Sequence, residues 1–287
     1  HNILEKILFK KVIVGFAFSP NLRANVFESI RLAKNFNAKL FFIHVGEKTD
    51  KKEKTFNEII KSSSVSSNNI EILWRNGDPV KVILLACEEF KVDLLLLGAL
   101  KRENVFKFYM GSIARKLTRK APCSVLLLLD PSEKEKPAQH IVVNAFESVN
   151  DKKTVSSSLI FANSFNVPKV TLVEEINSLN LNLSVYDDKS LIQTTLKKEK
   201  IKKQEETRVS EILNQIPDKL KSNVKIQTQS IFGTRGYSTG HYAKIVRADL
   251  LIMYFNEKKT SILSKFFPKD LDHILGELPT NVLILKN

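Results

Sequence analysis

The chain has 287 residues, of which 43% are hydrophobic and 26% are charged, and its formal net charge is +14. This length corresponds to two ordinary domains, and the hydrophobic fraction allows each of them its own core. No apolar run reaches about eighteen residues, and the start lacks a signal-peptide pattern, so we expect a cytoplasmic protein without membrane insertion. The lysines are interspersed with glutamates, which favours a solvated basic surface over a dedicated nucleic-acid interface.

In the first half, short apolar runs alternate with helical stretches. The predicted strands are 11–16, 39–45, 70–74, 94–97 and 124–129. The predicted helices are 21–36, 51–63, one opened by Pro79, and 111–120. This alternation predicts a parallel sheet with helices on both faces. Ligands of such sheets bind beyond the carboxyl ends of the strands, where the strand order reverses.

The segment 130–137 is polar, charged and bounded by prolines, which indicates a linker. After it the pattern restarts. Asn37 recurs as Asn166 at an offset of 129 residues, and Asp93 recurs as Asp249 at an offset of 156. Such a register predicts two copies of one unit, with a first domain over 1–132 and a second over 139–287.

The second copy is longer than the first because of extra residues within 174–225. Residues 191–216 of this insertion predict a long, charged helix with poor apolar periodicity. Lysine and glutamate pairs four residues apart would support it as an exposed helix. A docking surface for a partner is the alternative interpretation.

The most informative local motif is formed by Gly98, Lys101, Gly111 and Ser112. It follows the fourth predicted strand, and its last two residues open a helix, where free N–H groups favour a phosphate. Glycine lets the backbone approach the phosphate closely, and the serine hydroxyl can donate a further hydrogen bond. The alternative is that Gly111 and Ser112 only cap the helix, with Lys101 and Arg102 holding an anion by charge.

This spacing resembles that of the universal stress protein family. Nucleotide-binding members of that family have a glycine, two residues, a second glycine, nine residues, and then Gly-Ser or Gly-Thr. The flanking sequence is also similar to the family, at 77–79, 92–94, 115–116 and 121–123. The resemblance covers nearly the whole chain, closely in the first half and weakly in the second.

The resemblance implies an α/β fold with two tandem open parallel five-stranded sheets flanked by helices. This arrangement is Rossmann-like and adenine nucleotide alpha hydrolase-like. The resemblance further implies that the two copies pair through their last strands as an intramolecular pseudo-dimer. The implied ligand is ATP or another adenine nucleotide in the first half.

The departures from the family pattern concern the nucleotide site itself. The second glycine of the motif falls on Lys101, where a left-handed backbone would be strained. The acidic residue that follows the first strand in the family, near the nucleotide, falls on Ala17. In the second copy the equivalent site positions hold unsuitable residues, namely Phe146, Tyr254, Glu257, Pro268 and Lys269. We therefore expect a degenerate site in the first half and no phosphate site in the second.

A glycine-rich loop over 233–240 belongs to the second copy only. Gly233, Arg235 and Gly236 follow a predicted strand and precede a helix, so they form a second candidate anion site. The alternative is a turn with a serine or threonine helix cap.

The sequence predicts no catalytic or metal residues. His44, His140, His241 and His273 are scattered without metal-ligand spacing. Cys87 and Cys123 lie among apolar neighbours, as reduced core thiols do.

Three functions compete. The first is a stress-response protein that binds partners or a ligand without catalysis, with its own second half, a protein partner or a homo-oligomer as the assemblies expected. The second is an ATP-binding sensor that uses the first-half loop. The third is a weak, salt-sensitive nucleic-acid binder, which rests on charge alone.

Overall fold

The computed structural model describes residues 8–63, 69–101, 107–145, 150–177, 184–234, 236–255 and 268–286. The strands of the first half are β1 (Lys11–Gly15), β2 (Lys39–Val45), β3 (Ile70–Arg75), β4 (Leu94–Gly98), the short β5 (Leu100–Lys101) and β6 (Phe108–Tyr109), and β7 (Ser124–Leu128). Its helices are α1 (Leu22–Asn35), α2 (Asp50–Ser62), α3 (Pro79–Glu89) and α4 (Ser112–Lys120).

The second half repeats this order after residue 139. Its strands are β8 (His140–Asn144), β9 (Lys169–Asn177), β10 (Lys225–Gly233), β11 (Leu250–Tyr254) and β12 (Asn281–Leu285). Its helices are α5 (Asp151–Ser164), α6 (Asp188–Asn214), α7 (Asp218–Lys221), α8 (Tyr237–Ile245) and α9 (Pro268–Gly276). The long charged helix predicted over 191–216 is α6, which begins and ends slightly earlier.

Ten of these strands form one sheet in the order β10-β9-β8-β11-β12-β7-β4-β1-β2-β3. Neighbouring strands within each half are parallel, and the two halves meet in the antiparallel pair β7–β12, with Leu126 opposite Leu283. The predicted α/β fold and its pairing through the last strands are therefore confirmed. The strand order reverses between β1 and β4 in the first half, and between β8 and β11 in the second.

The repeat extends to the backbone conformation at the helix ends. Positive φ angles near 50° occur at Asn37 and Asn166, and again at the equivalent pair Lys91 and Arg247. In each case the following residue donates its N–H back into the preceding helix, as Ala38 does to the Ala33 carbonyl at 2.8 Å. This left-handed residue ends the helix and turns the chain toward the next strand.

Repeated aspartates fix the start of the first strand in each half. The Asp93 carboxylate accepts the N–H groups of Lys10 and Lys11, both at 2.9 Å. Asp249 accepts those of Gln139 and His140 at 2.7 and 2.9 Å. The recurrence of this aspartate in the sequence thus has a structural cause, because it satisfies backbone donors at a strand end.

Two hydrophobic layers cover the sheet, and each extends over both halves. Val26 of α1 and Val155 of α5 belong to one layer, whereas Ile83 of α3 and Ala243 of α8 belong to the other. The halves consequently share both their sheet and their core. Within the described residues, no helix has the length and apolar character needed to cross a bilayer.

Candidate functional site

The strand order reverses between β1 and β4 in the first half, and ligands of such folds bind at the carboxyl ends of the strands beside such a reversal. Gly98 is the last residue of β4 and is exposed there. A Cβ atom at this position would lie 3.7 Å from the Asn25 side-chain oxygen of α1. The predicted motif therefore begins at the edge of the sheet where ligands of such folds bind.

A short hairpin follows Gly98 and was not predicted from the sequence. Leu100 pairs with Tyr109 and Lys101 with Phe108, so the backbone of Lys101 is extended. The φ angle of Lys101 is not positive, so its backbone is not left-handed and is not strained. The chain thus accommodates this lysine by taking a hairpin path.

Gly111 and Ser112 lie where the hairpin returns to the sheet. Gly111 is the N-cap of α4, and the exposed Ser112 is the first residue of the helix. A Cβ at Gly111 would stand only 3.0 Å from Leu100 Cδ1, which explains the glycine as a close contact with the hairpin. No described side chain caps α4, so Ser112 is not the capping residue that the alternative interpretation required.

Aromatic side chains fill the neighbouring part of this edge. We call Phe16, Phe18, His44, Phe56 and Trp74 the aromatic cluster. Phe16 stacks on Phe56 of α2 with ring centroids 4.2 Å apart, and His44 contacts Trp74 at 5.4 Å. His44 Nδ1 also lies 3.1 Å from the Phe16 carbonyl oxygen, which fixes the ring. The exposed Ala17 leaves no acidic group between the two phenylalanines.

The second half has different residues at the same positions, and two of the three are polar. Ala145, Glu174 and Ser230 take the register positions of Phe16, His44 and Trp74. Glu174 is completely buried and accepts a hydrogen bond from the Ser230 hydroxyl. Burial raises the pKa of this carboxyl group above its ordinary value.

Arg208 of the inserted helix α6 closes this second edge. Its guanidinium donates to the Asp151 carboxylate at 2.9 Å, to that of Glu205 at 2.8 Å, and to the Ala145 carbonyl. The three charged side chains are less than one fifth exposed. A cation from the inserted helix thus binds the backbone just after β8.

The glycine-rich loop of the second half is tied to a carboxylate from β9. Glu175 accepts hydrogen bonds from the N–H of Gly236 and from both the N–H (2.7 Å) and the hydroxyl of Thr239. Gly236 has a φ of 74°, which favours glycine. A Cβ at Gly233 would collide with the Ser238 hydroxyl, so this glycine serves close packing. Arg235 lies outside the described residues.

The start of α8 therefore already binds an anion, and that anion is part of the protein. The sequence offered no signal for this contact, because Glu175 lies 61 to 64 residues before its partners. Tyr254 ends β11 and Pro268 begins α9, while Phe146 and Glu257 lie outside the described residues. Tyr254 thus stands at the end of β11, the position that Gly98 holds at the end of β4.

The histidines have structural partners. His140 Nε2 lies 2.7 Å from the Thr171 hydroxyl, and burial lowers the pKa of His140. His241 and His273 both contact the Tyr237 ring, at 5.7 and 5.9 Å. Among the described residues, no group of three His, Cys, Asp or Glu side chains has a metal-binding arrangement.

The Universal stress protein family model matches residues 51–128, which lie within the first half. A protein of unknown function from Pseudomonas aeruginosa shares 13% identity and a TM-score of 0.66, covering 98% of this chain and 93% of that one. A universal stress protein from Archaeoglobus fulgidus shares 13% identity, with a TM-score of 0.57 and 96% of both chains covered.

The cytoplasmic domain of a prokaryotic cation chloride cotransporter is also similar, with 10% identity, a TM-score of 0.51, and 96% of this chain and 94% of that chain covered. No curated protein sequence matches the chain. At these identities the structural likeness concerns the fold, which is shared over nearly the full length.

Proposed function

We propose that this chain is a tandem universal stress protein that acts by binding a partner or ligand and not by catalysis. In this proposal residues 1–132 form the first domain, with a degenerate nucleotide site, and residues 139–287 form the second, with none. The observation that carries it is that side chains of the protein itself fill both ligand edges of the sheet.

In the first half, support comes from the aromatic cluster and from Ala17. Phe16 stacks on Phe56 at 4.2 Å, so the loop after β1 is folded against α2. Ala17 offers no carboxylate to a ribose hydroxyl or to the metal that accompanies ATP. A nucleotide would depend on Gly98, Gly111, Ser112 and the charge of Lys101. An ion pair in contact with solvent contributes only about 1 kcal/mol.

In the second half, support comes from Arg208 and Glu175. Arg208 fills the end of β8, and Glu175 neutralises the start of α8. A phosphate would have to displace a carboxylate held by three hydrogen bonds, which charge-assisted bonding makes costly.

Titration calorimetry of the full chain with ATP tests the proposal. We expect the wild type to bind weakly, and equally with or without Mg²⁺. The double variant Ala17→Asp with Lys101→Gly should bind more tightly and gain a Mg²⁺ dependence. Ala17→Asn with Lys101→Gly is the matched control, since it adds the same volume without the charge. Tight binding by the wild type would contradict the degenerate site.

An ATP-dependent sensor is the second candidate. It is favoured by the uncapped start of α4 at Gly111, where no described side chain satisfies the first N–H groups. Mass spectrometry of small molecules released from the purified protein separates the two candidates. A stoichiometric adenine nucleotide would establish the sensor, whereas its absence together with weak calorimetric binding supports the partner-binding protein.

A further inference from the structure

An unusually apolar surface lies at the start of α6. Five large apolar side chains are at least half exposed within twelve residues of sequence, and we call them the α6 ridge. They are Val185 (53%), Tyr186 (81%), Leu191 (50%), Ile192 (59%) and Leu196 (62%). Singly exposed apolar residues are ordinary, but such a group concentrated on one element marks an interaction surface.

The ridge faces solvent. Between residues 184 and 200 only Thr194 is buried and only Ser190 is half-buried. The rest of α6 packs into the core through Val209 and Ile212, which anchors the helix at its other end. The protein therefore holds the ridge in solvent on a helix whose far half is fixed.

The helix start is capped by its own side chains. Asp187 accepts the Ser190 N–H at 2.7 Å, and Ser190 Oγ accepts the Asp187 N–H at 3.0 Å. This capping box satisfies two backbone donors that would otherwise be free at the helix start. The ridge is thus presented on a preformed helix, so that binding would not have to order it.

The outward face of this helix combines apolar and basic residues. Positions 189, 192, 196, 200 and 203 recur at spacings of three and four residues, and so share one face. Their residues are Lys189, Ile192, Leu196, Lys200 and Lys203, all exposed, and the exposed acidic residues Asp188 and Glu199 lie beside them. Thr194, the buried residue, lies on the opposite side. This face is therefore complementary to a partner surface that is both apolar and negatively charged.

We propose that the α6 ridge docks the protein on an anionic lipid surface. Aliphatic side chains and a tyrosine would enter the boundary between headgroups and acyl chains, while the lysines contact the headgroups. Lysine suits this role, because its long stem can lie along an apolar surface with its charge in the headgroups. Protein interfaces, in contrast, are depleted in lysine and enriched in arginine. The helix would lie on the membrane without crossing it.

The net charge of +14 supports the same partner. Basic residues near an anionic leaflet each contribute on the order of 1 kcal/mol, and this attraction extends only about a Debye length. Nucleic acid would attract the lysines too, but its phosphate backbone offers no apolar surface for Leu191, Ile192 and Leu196. The proposal is independent of whether a nucleotide binds, so its test does not depend on the proposed function.

Co-sedimentation of the full chain with vesicles tests the proposal. We expect binding to vesicles containing phosphatidylserine and little binding to pure phosphatidylcholine. The variant Leu191→Gln, Ile192→Gln, Leu196→Gln should weaken binding on the order of tenfold or more. The variant Lys189→Gln, Lys200→Gln, Lys203→Gln should also weaken it and reduce its salt dependence.

The matched control is Leu85→Gln with Ile245→Gln, which removes apolar side chains that are 62% and 66% exposed elsewhere. It should bind like the wild type. Circular dichroism should show the helix content unchanged in every variant. Wild-type protein that ignores anionic vesicles, or a ridge variant that binds them unchanged, would overturn the proposal. So would loss of self-association in the ridge variant without any lipid effect, which would assign the ridge to a second copy.

Discussion

His44 of β2 and Glu174 of β9 occupy the same position in the two halves of the sheet. Each lies opposite the equivalent residue of the next strand, Trp74 in one half and Ser230 in the other. One position thus belongs to an aromatic cluster and the other holds a buried acid. The two ligand edges of this tandem protein have diverged in chemistry while their backbones stayed alike.

The buried Glu174 should make stability depend on pH. Burial raises the pKa of this group in the folded state. The contribution of Glu174 to the free energy of unfolding is therefore fully present below its ordinary pKa of 4.5, and it is lost as pH rises toward the folded-state pKa. Glu174→Gln should flatten this decline in the free energy of unfolding, which amounts to about 1.4 kcal/mol for each pH unit between the unfolded-state and folded-state pKa values. Urea titrations between about pH 4 and 8 measure it, with the exposed Glu199→Gln as a control that should change nothing.

The opposite dependence is expected at Glu277. Hydrogen bonds from Lys107 and then Lys244 lower the pKa of Glu277 to about 2. The stability that this pair of contacts gives is present above pH 4.5 and is lost as pH falls toward 2. Because the carboxylate is partly exposed, Glu277→Gln should cost only about 1 kcal/mol at pH 7. Unfolding curves that coincide with those of the wild type at about pH 7 but diverge at about pH 3 would refute the assignment.

Removing Arg208 should destabilise the second half. Arg208→Met would leave Asp151 and Glu205, each about one fifth exposed, without their cation. Breaking such a partly buried pair is expected to cost about 2–4 kcal/mol. Lys202→Met is the matched control on the same helix, since its pair with Glu206 is exposed and should contribute about 0.5 kcal/mol or less. Chemical denaturation measures the loss in free energy of unfolding for each variant. Equal losses in the two variants would contradict the role of Arg208.

Glu175→Ala should convert the start of α8 into an anion site. The variant loses the carboxylate that Gly236 and Thr239 bind, at a cost of about 2 kcal/mol. Inorganic phosphate at about 10 mM should then raise the melting temperature of the variant and leave that of the wild type unchanged. Glu175→Gln, which keeps an acceptor oxygen, should lose less stability. Phosphate stabilisation of the wild type would show that Glu175 does not occupy the site.

Cleavage of the linker should not separate the halves. Residues 133–137 are exposed, although Ser132 donates to Glu28 at 2.8 Å. The β7–β12 pair and the shared core hold the halves together independently of the linker. After limited proteolysis, both fragments should elute as one species on a sizing column. Separation without denaturant would show that the proposed domains are independent bodies.

Elements repeated in the sequence could be predicted because their physical causes are local. The aspartate that receives the first-strand N–H groups and the asparagine that ends the first helix recur at fixed offsets. The β5–β6 hairpin could not be predicted, since each strand has two residues and no periodicity. Without it, Lys101 was expected to be strained and Ser112 could be taken as the cap.

The contacts that fill the ligand edges depend on distant residues. Arg208 meets Asp151 and Ala145 across 57 and 63 residues, and nothing in either segment marks the contact. The aromatic cluster had a recognisable signal, because Phe16, His44 and Trp74 each follow or end a predicted strand. Their convergence follows from parallel strands ending at the same edge.

The antiparallel β7–β12 pair joins two copies that belong to one polypeptide. This covalent link changes how mutations affect the two halves. In a symmetric homodimer, every mutation appears twice, and a change that helps one site must be tolerated at the other. Here a single codon alters a single site. A histidine on one side and a glutamate on the other could therefore arise separately, so one gene can explore two unlike surfaces on one scaffold.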